Sequence, residues 1–143
     1  MTLGGRVLFR DRFAGTEAGV SGALSRAQAD LGASPLGVER RDNLVIVLGE
    51  VLNNSVEHGM ADRTDGWIEM IIRMNPADRA EVAIADDGRP LPLHLLQGAQ
   101  APDVTVDADA MPEGGFGWFI IHTLVDDMTY ERADGRNHLT FSI

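Results

Sequence analysis

The chain has 143 residues, and 44% of them are hydrophobic, so we expect one folded domain, residues 1–143, with its own core. The formal net charge of −10 argues against a nucleic-acid partner, because such binding draws its affinity from Lys and Arg side chains. The sequence contains no Cys and no Lys, which excludes disulfides, thiolate metal ligands and the phosphate-binding lysine of P-loop proteins.

The first half of the chain predicts a strand followed by two helices. Residues 5–13 alternate between apolar and polar, which predicts an edge strand with Val7, Phe9 and Asp11 on one face. Apolar residues at helical spacing predict a helix over 16–31 and a longer helix over 36–58. The apolar stripe of the longer helix is Leu44, Val47, Leu48, Val51 and Ser55.

The second half predicts two strands, a long loop, a helix and a hairpin. The strands cover residues 66–74 and 80–86, and the segment 87–115 has no clear period. A helix over 116–126 precedes a hairpin whose turn is Ala133-Asp134-Gly135. This order predicts an α+β fold, a two-layer α/β sandwich in which helices cover one face of a mixed, mostly antiparallel sheet.

Three short segments carry residues suited to chemistry. In the long helix, Glu50 and Asn54 lie one turn apart, and an Asn carbonyl oxygen can bind Mg²⁺ while Glu50 can accept a proton. Asp86 ends a strand of small apolar residues and is followed closely by Gly88, so its carboxylate could accept the amino group of adenine. Gly115 and Gly117 open a helix, where backbone N–H groups can bind phosphate without any lysine.

Each segment also has a structural interpretation that the sequence leaves open. The helix motif can be a solvated face ending in a Gly cap, Asp86-Asp87-Gly88 can be an ordinary turn, and the glycines before the last helix can be a hinge. The order and spacing of the three segments together are much more specific than any one of them.

Together, the helix motif from Glu50 to Gly59, the strand-end Asp86-x-Gly88 and the loop-to-helix Gly115-x-Gly117 resemble the N, G1 and G2 boxes of the GHKL ATPases. Within that superfamily the chain is most similar to the bacterial anti-sigma-factor serine kinases. The resemblance implies an ATP-binding fold in which Asp86 and Gly88 bind adenine and Gly115 and Gly117 bind phosphates. Asn54 would hold Mg²⁺, Glu50 would be the catalytic base, and residues 91–114 would form the ATP lid.

Two departures from that family pattern concern the last box and the lid. The final box, often a Gly-x-Thr-Thr turn, reads Gly135-Arg136-Asn137-His138 here, which puts the help of a hydroxyl group in doubt. Arg89 and Pro90 replace the usual second glycine after Gly88, and no Arg or Lys follows until Arg132.

The resemblance implies a serine-protein kinase that uses Mg-ATP to phosphorylate a small antagonist protein and otherwise sequesters a sigma factor. One alternative is a nucleotide-dependent binding module that sequesters its partner without efficient transfer, and another is a sensor-kinase-like ATPase acting on a His elsewhere.

No apolar run is long enough for a membrane span and the N-terminus has no signal-peptide pattern, so we expect a cytoplasmic protein with no membrane partner. In the family that the chain resembles, dimers form through the N-terminal part of the domain. Together with the apolar run Val7–Phe9 in a predicted edge strand, this resemblance predicts a homodimer.

Overall fold

The computed structural model describes residues 5–92 and 115–143. Its strands are β1 (Arg6–Ala14), β2 (Trp67–Met74), β3 (Ala80–Asp86), β4 (Asp126–Ala133) and β5 (Arg136–Ser142). Its helices are α1 (Glu17–Gly32), α2 (Val38–Asn54) and α3 (Gly115–Leu124). A π-helical turn, Ser55–Gly59, continues directly from α2.

The five strands form one sheet in the order β1-β2-β3-β5-β4, and every neighbouring pair is antiparallel. The α+β architecture is therefore confirmed, and the sheet has no parallel pair among the described strands. Because β5 lies between β3 and β4, the C-terminal hairpin sits beside the end of β3. This places residues 51 positions apart, Asp86 and Asn137, directly opposite each other in the sheet.

One face of the sheet carries the core. Every second residue of the central strands is buried, as expected for a sheet with one covered face. These residues join the buried stripes of α1 and α2 in one hydrophobic cluster, which includes Ile68, Met70, Ile72, Val82, Ile84, Leu139, Phe141, Leu44, Val47, Leu48 and Val51. The apolar stripe expected for the long helix is confirmed, and Ser55 at its end is also buried.

Local signals in the sequence explain where several elements begin and turn. Thr16 caps α1, since its Oγ1 accepts the backbone N–H of Gly19 at 3.0 Å. Asp134 and Gly135 both have positive φ, the backbone that a two-residue hairpin turn requires. The expected hairpin is confirmed, and it positions β5 against β3.

Two boundaries and one orientation differ from the sequence predictions. The α-helix ends at Asn54 rather than at 58, because the backbone widens into the π-helical turn. The helix expected to reach 126 ends at Leu124, where β4 takes over almost at once. In β1 the register shifts between Val7 and Phe9, so Val7 pairs with Arg73 and Phe9 with its neighbour Ile72. This bulge places Val7 and Phe9 on opposite faces, and the prediction that they share a face was wrong.

Candidate functional site

The helix motif and the strand-end motif meet at two glycines. The backbone N–H of Arg89 donates to the carbonyl oxygen of Gly59 at 2.9 Å, which joins the end of the π-helical turn to the segment after β3. A Cβ placed on Gly88 would lie 2.8 Å from that same oxygen and 2.9 Å from Oδ1 of Asp86. No side chain fits there, so the absence of a Cβ at Gly88 is what allows the two motifs to pack together.

The third motif, at the start of α3, contacts the helix motif. Gly115 is the first residue of α3, and Gly117 is buried in its first turn. A Cβ on Gly117 would overlap Oε2 of Glu50, so the carboxylate lies directly against the backbone at the start of α3. The structure therefore brings the glycine motif into contact with the helix motif. The lid expected at 91–114 falls almost entirely outside the described residues.

Asn54 presents an amide oxygen that has no partner among the residues the structure describes. It is only 6% exposed, and its Nδ2 donates to the backbone carbonyl of Glu50 at 2.7 Å. That bond fixes the orientation of the amide, and among the described residues Oδ1 accepts no hydrogen bond. An oriented oxygen of this kind, on a largely buried side chain, suits Mg²⁺, which prefers oxygen ligands and keeps several waters. Asn53, the preceding residue, is exposed instead.

The position of Asn54 also explains why Asn, a poor helix former, occurs at the end of α2. Asn54 is the last α-helical residue, and the next residue opens the π-helical turn. Such turns inside helices occur frequently at functional sites because they re-aim side chains. The low helix propensity of Asn was the signal in the sequence, although the π-helical geometry itself was not visible there.

Asp86 is a buried carboxylate held by one of its two oxygens. It is 3% exposed, and Oδ1 accepts both the backbone N–H of Gly88 at 2.8 Å and the Nδ2 of Asn137 at 2.9 Å. Burial raises the pKa of Asp86 above its ordinary value, against the lowering effect of these two hydrogen bonds. Among the described residues Oδ2 accepts no hydrogen bond, so it is the oxygen available to a ligand.

The neighbouring Asp87 has a structural role. Its Oδ1 accepts the backbone N–H of Trp67 at 2.9 Å, and its Oδ2 accepts Nη2 of Arg63 at 3.0 Å. Burial alone would raise its pKa, but these donors outweigh burial and lower the pKa below its ordinary value. Asp87 and Arg63 thus tie the segment after β3 to the start of β2.

Sequence reasoning missed three residues of the C-terminal hairpin, Tyr130, Arg132 and Asn137. Their polar groups contact the segment Gly88–Leu91 directly: Arg132 donates to the carbonyl of Gly88 at 2.6 Å, and the backbone N–H of Leu91 donates to the hydroxyl of Tyr130 at 3.2 Å. The only signal in the sequence was a box that departs from the family pattern at Asn137. Their contribution depends on β5 pairing with β3, which residue spacing alone does not reveal.

The close approach at Gly88 gives a test of this packing. We expect Gly88→Ala to lower the free energy of unfolding by about 1–3 kcal/mol, the usual cost of overpacking, because both atoms that the new methyl group meets are held in place. The matched control is Gly49→Ala in α2, where a Cβ would meet nothing within 4 Å. That change should stabilise the protein by about 0.5–1 kcal/mol, since Ala is the better helix former. Denaturant unfolding of both variants checks the contrast, and a Gly88→Ala protein as stable as the wild type would contradict it.

The comparisons with known proteins agree on one family. Residues 13–143 match the histidine kinase-like ATPase domain. The serine-protein kinase RsbW of Listeria monocytogenes is 34% identical over 117 residues, which covers 81% of this chain and 69% of that protein. The serine-protein kinase RsbW of Bacillus cereus is 26% identical over 121 residues, covering 84% of this chain and 68% of the relative.

Two solved structures share the fold at low sequence identity. The RsbU and RsbW domains of a Mycobacterium tuberculosis protein align with a TM-score of 0.62 at 14% identity, over 94% of this chain and 32% of that one. The histidine kinase domain of a blue-light activated kinase from Erythrobacter litoralis aligns with a TM-score of 0.56 at 16% identity, over 87% of this chain and 60% of that one. At these identities the likeness supports the fold alone. None of the helices that the structure describes is long and apolar enough to cross a membrane.

Proposed function

Because the chain belongs to the histidine kinase-like ATPase family, we propose that it is an Mg-ATP-dependent serine-protein kinase. It phosphorylates a small antagonist protein in a partner-switching pathway and otherwise binds a sigma factor, as an anti-sigma factor. The observation that carries this proposal is the pairing of Glu50 and Asn54. The two residues lie one turn apart on α2, and the Glu50 carboxylate lies against the backbone of Gly117 in α3. Each of the two side chains offers an oxygen with no partner among the described residues.

In the proposed reaction, the hydroxyl oxygen of the partner's serine attacks the γ-phosphorus of ATP. The bond from that phosphorus to the β–γ bridging oxygen breaks, and ADP leaves. Glu50 accepts the serine proton, and the N–H groups at the start of α3, around Gly115 and Gly117, bind the phosphates. Asn54 would hold Mg²⁺, which neutralises the charge of the phosphates when bound. Asp86 would accept the amino group of adenine, and Gly88 allows the base to approach the backbone.

The proposal extends to the rest of the chain. Residues 1–143 act as one ATP-binding domain. We place the protein in the cytoplasm, where ATP and sigma factors are found.

A phosphotransfer assay separates a kinase from a nucleotide-dependent binding module. We expect the protein to release ADP and label the antagonist only when that partner carries its serine, and a Ser→Ala partner is the control. Binding of both ATP and the partner with no label on the wild-type serine would reject the kinase and favour the binding module.

We also propose that two copies pair through β1. This strand forms one edge of the sheet, and Val7 on it is 43% exposed, whereas Leu8 and Phe9 pack in or against the core. An exposed apolar residue on an edge strand favours pairing with another strand, and two-fold pairing is the commonest arrangement.

Light scattering of lysine substitutions at two exposed valines tests the proposed dimer. The wild type should have the mass of a dimer, and Val7→Lys should be monomeric because a charge would have to be buried at the interface. Val38, which is exposed at the start of α2, is the matched control, and Val38→Lys should remain dimeric. A monomeric wild type, or a dimer that survives Val7→Lys, would reject this interface.

A further inference from the structure

Asn137 makes as many hydrogen bonds as its amide group allows, and all of them lie at the candidate adenine pocket. It is 1% exposed. Its Nδ2 donates to Oδ1 of Asp86 at 2.9 Å and to the backbone carbonyl of Arg89 at 2.7 Å. Its Oδ1 accepts the hydroxyl of Tyr130 and, at 3.1 Å, Nη1 of Arg132. An Asn amide offers two donor hydrogens and two acceptor positions, so this side chain is fully used.

Arg132 determines which end of the amide faces Asp86. A guanidinium group can only donate hydrogen bonds, so the atom of Asn137 beside it must be the oxygen. The nitrogen therefore points to the carboxylate of Asp86. The alternative orientation would place two donors against each other at Arg132 and two acceptors against each other at Asp86.

In the Asp86 carboxylate, Oδ1 therefore has protein donors, and Oδ2 is available to a ligand. Oδ1 is held by Gly88 and Asn137, and a carboxylate held at that oxygen cannot rotate without breaking both bonds. Burial raises the pKa of Asp86, and the hydrogen bond from Asn137 is the largest influence that opposes the rise. Asn137 thus favours the ionised form, which only accepts hydrogen bonds.

We propose that Asn137 is the positioning residue for purine selection: by holding Oδ1 of Asp86, it aims Oδ2 as a fixed acceptor for the 6-amino group of the base. This inference rests on the proposed ATP site. The same amide also binds the carbonyl of Arg89, so selection of the base and the backbone path after β3 depend on one side chain. Asn137 acts through Asp86 and does not itself touch the base.

The test compares ATP with purine riboside 5′-triphosphate, which differs only in lacking the 6-amino group. Titration calorimetry of the wild type should show ATP binding tighter by about 10- to 100-fold, the range for losing a hydrogen bond to a charged group. In Asn137→Ala we expect this preference to fall to about threefold or less, because Asp86 is no longer aimed. The analogue itself should bind both proteins with similar Kd. An equal loss for both nucleotides, with the preference kept, would overturn the role of Asn137 and leave it as scaffolding.

Two further variants guard against an effect of misfolding. Ser142→Ala removes a side-chain hydroxyl from the same strand, whose hydrogen bond goes to the carbonyl of Asp126, and leaves the bond from Asn137 to Asp86, so it should keep the preference for ATP. Asn137→Asp at pH 8 keeps the shape and the acceptor for Arg132 but replaces the donor with a second carboxylate, and it should lose the preference. A lost preference in Ser142→Ala, or a kept preference in Asn137→Asp, would overturn the proposal.

The outcomes also separate this inference from the proposed function. A wild type that binds neither triphosphate rejects the nucleotide site, and the role of Asn137 with it. A wild type that prefers ATP, with Asn137 variants that prefer it equally, rejects only the role of Asn137.

Discussion

Glu50→Gln is expected to reduce phosphate transfer by about 100-fold or more, the usual contribution of a general base, while Mg-ATP binds almost as well as in the wild type. Glutamine has the same shape, and the Glu50 carboxylate accepts no hydrogen bond among the described residues, so the fold of α2 does not depend on its charge. Single-turnover transfer and calorimetry on the same protein separate the two effects.

Glu57→Gln is the matched control for this change. Glu57 lies seven positions further along, in the π-helical turn, and its side chain is exposed. Removing its charge should leave both transfer and binding near the wild-type values. If Glu50→Gln weakens Mg-ATP binding as much as it slows transfer, Glu50 organises the metal or the fold and is not the base.

Asp86→Asn should have opposite effects on binding and on stability. An amide can turn its N–H₂ toward the amino group of adenine, so ATP affinity should fall by about 1–3 kcal/mol, the cost of leaving a buried group unpaired. Burial, however, makes the ionised carboxylate unfavourable in the folded protein. The variant should therefore unfold at the same temperature as the wild type or higher at neutral pH.

The pH dependence of this stability difference follows from the raised pKa of Asp86. The folded state binds the proton more tightly than the unfolded state, so the stability of the wild type falls as the pH rises from the unfolded pKa of 3.8 through the higher folded pKa. The advantage of Asp86→Asn should grow over that interval and then level off. Thermal unfolding of both proteins across the interval measures it, and a constant difference would contradict the buried-carboxylate account.

Asp87→Asn should change the pH dependence of stability in the opposite direction to Asp86→Asn. The pKa of Asp87 is lowered, so its stabilising contribution is present above the unfolded pKa and is lost as the pH falls through the folded pKa. This variant should be less stable than the wild type at neutral pH, and the deficit should shrink in acid. ATP affinity should change less than in Asp86→Asn, because the contacts of Asp87 are with Arg63 and Trp67.

The parts of the fold that depend on local patterns could be predicted from the sequence. The alternation in β2 and β3, the stripe of α2 and the Asp134-Gly135 turn each involve residues close together in the chain. The bulge in β1 could not be predicted, since a one-residue register shift leaves the alternation of apolar residues almost unchanged. The π-helical turn after Asn54 was hidden for the same reason: its apolar spacing resembles that of an ordinary helix.

In the candidate site, too, some residues could be predicted from the sequence and others could not. Glu50, Asn54, Asp86, Gly88, Gly115 and Gly117 could be found because each lies in a short motif with its own chemistry. Asn137 could not, because its role comes from pairing β5 with β3, which places residues 51 positions apart opposite each other. A polar residue on the buried face of a strand is a weak signal until its partner strand is known, and here that partner ends in Asp86.

A crystal structure of the protein with Mg²⁺ and a non-hydrolysable ATP analogue would show directly whether these residues form the nucleotide site. We expect the 6-amino group of adenine within hydrogen-bond distance of Oδ2 of Asp86. We also expect Mg²⁺ bound to Oδ1 of Asn54 and phosphate oxygens facing the N–H groups at the start of α3. A nucleotide bound elsewhere, or a metal ion with no contact to Asn54, would contradict the proposed site.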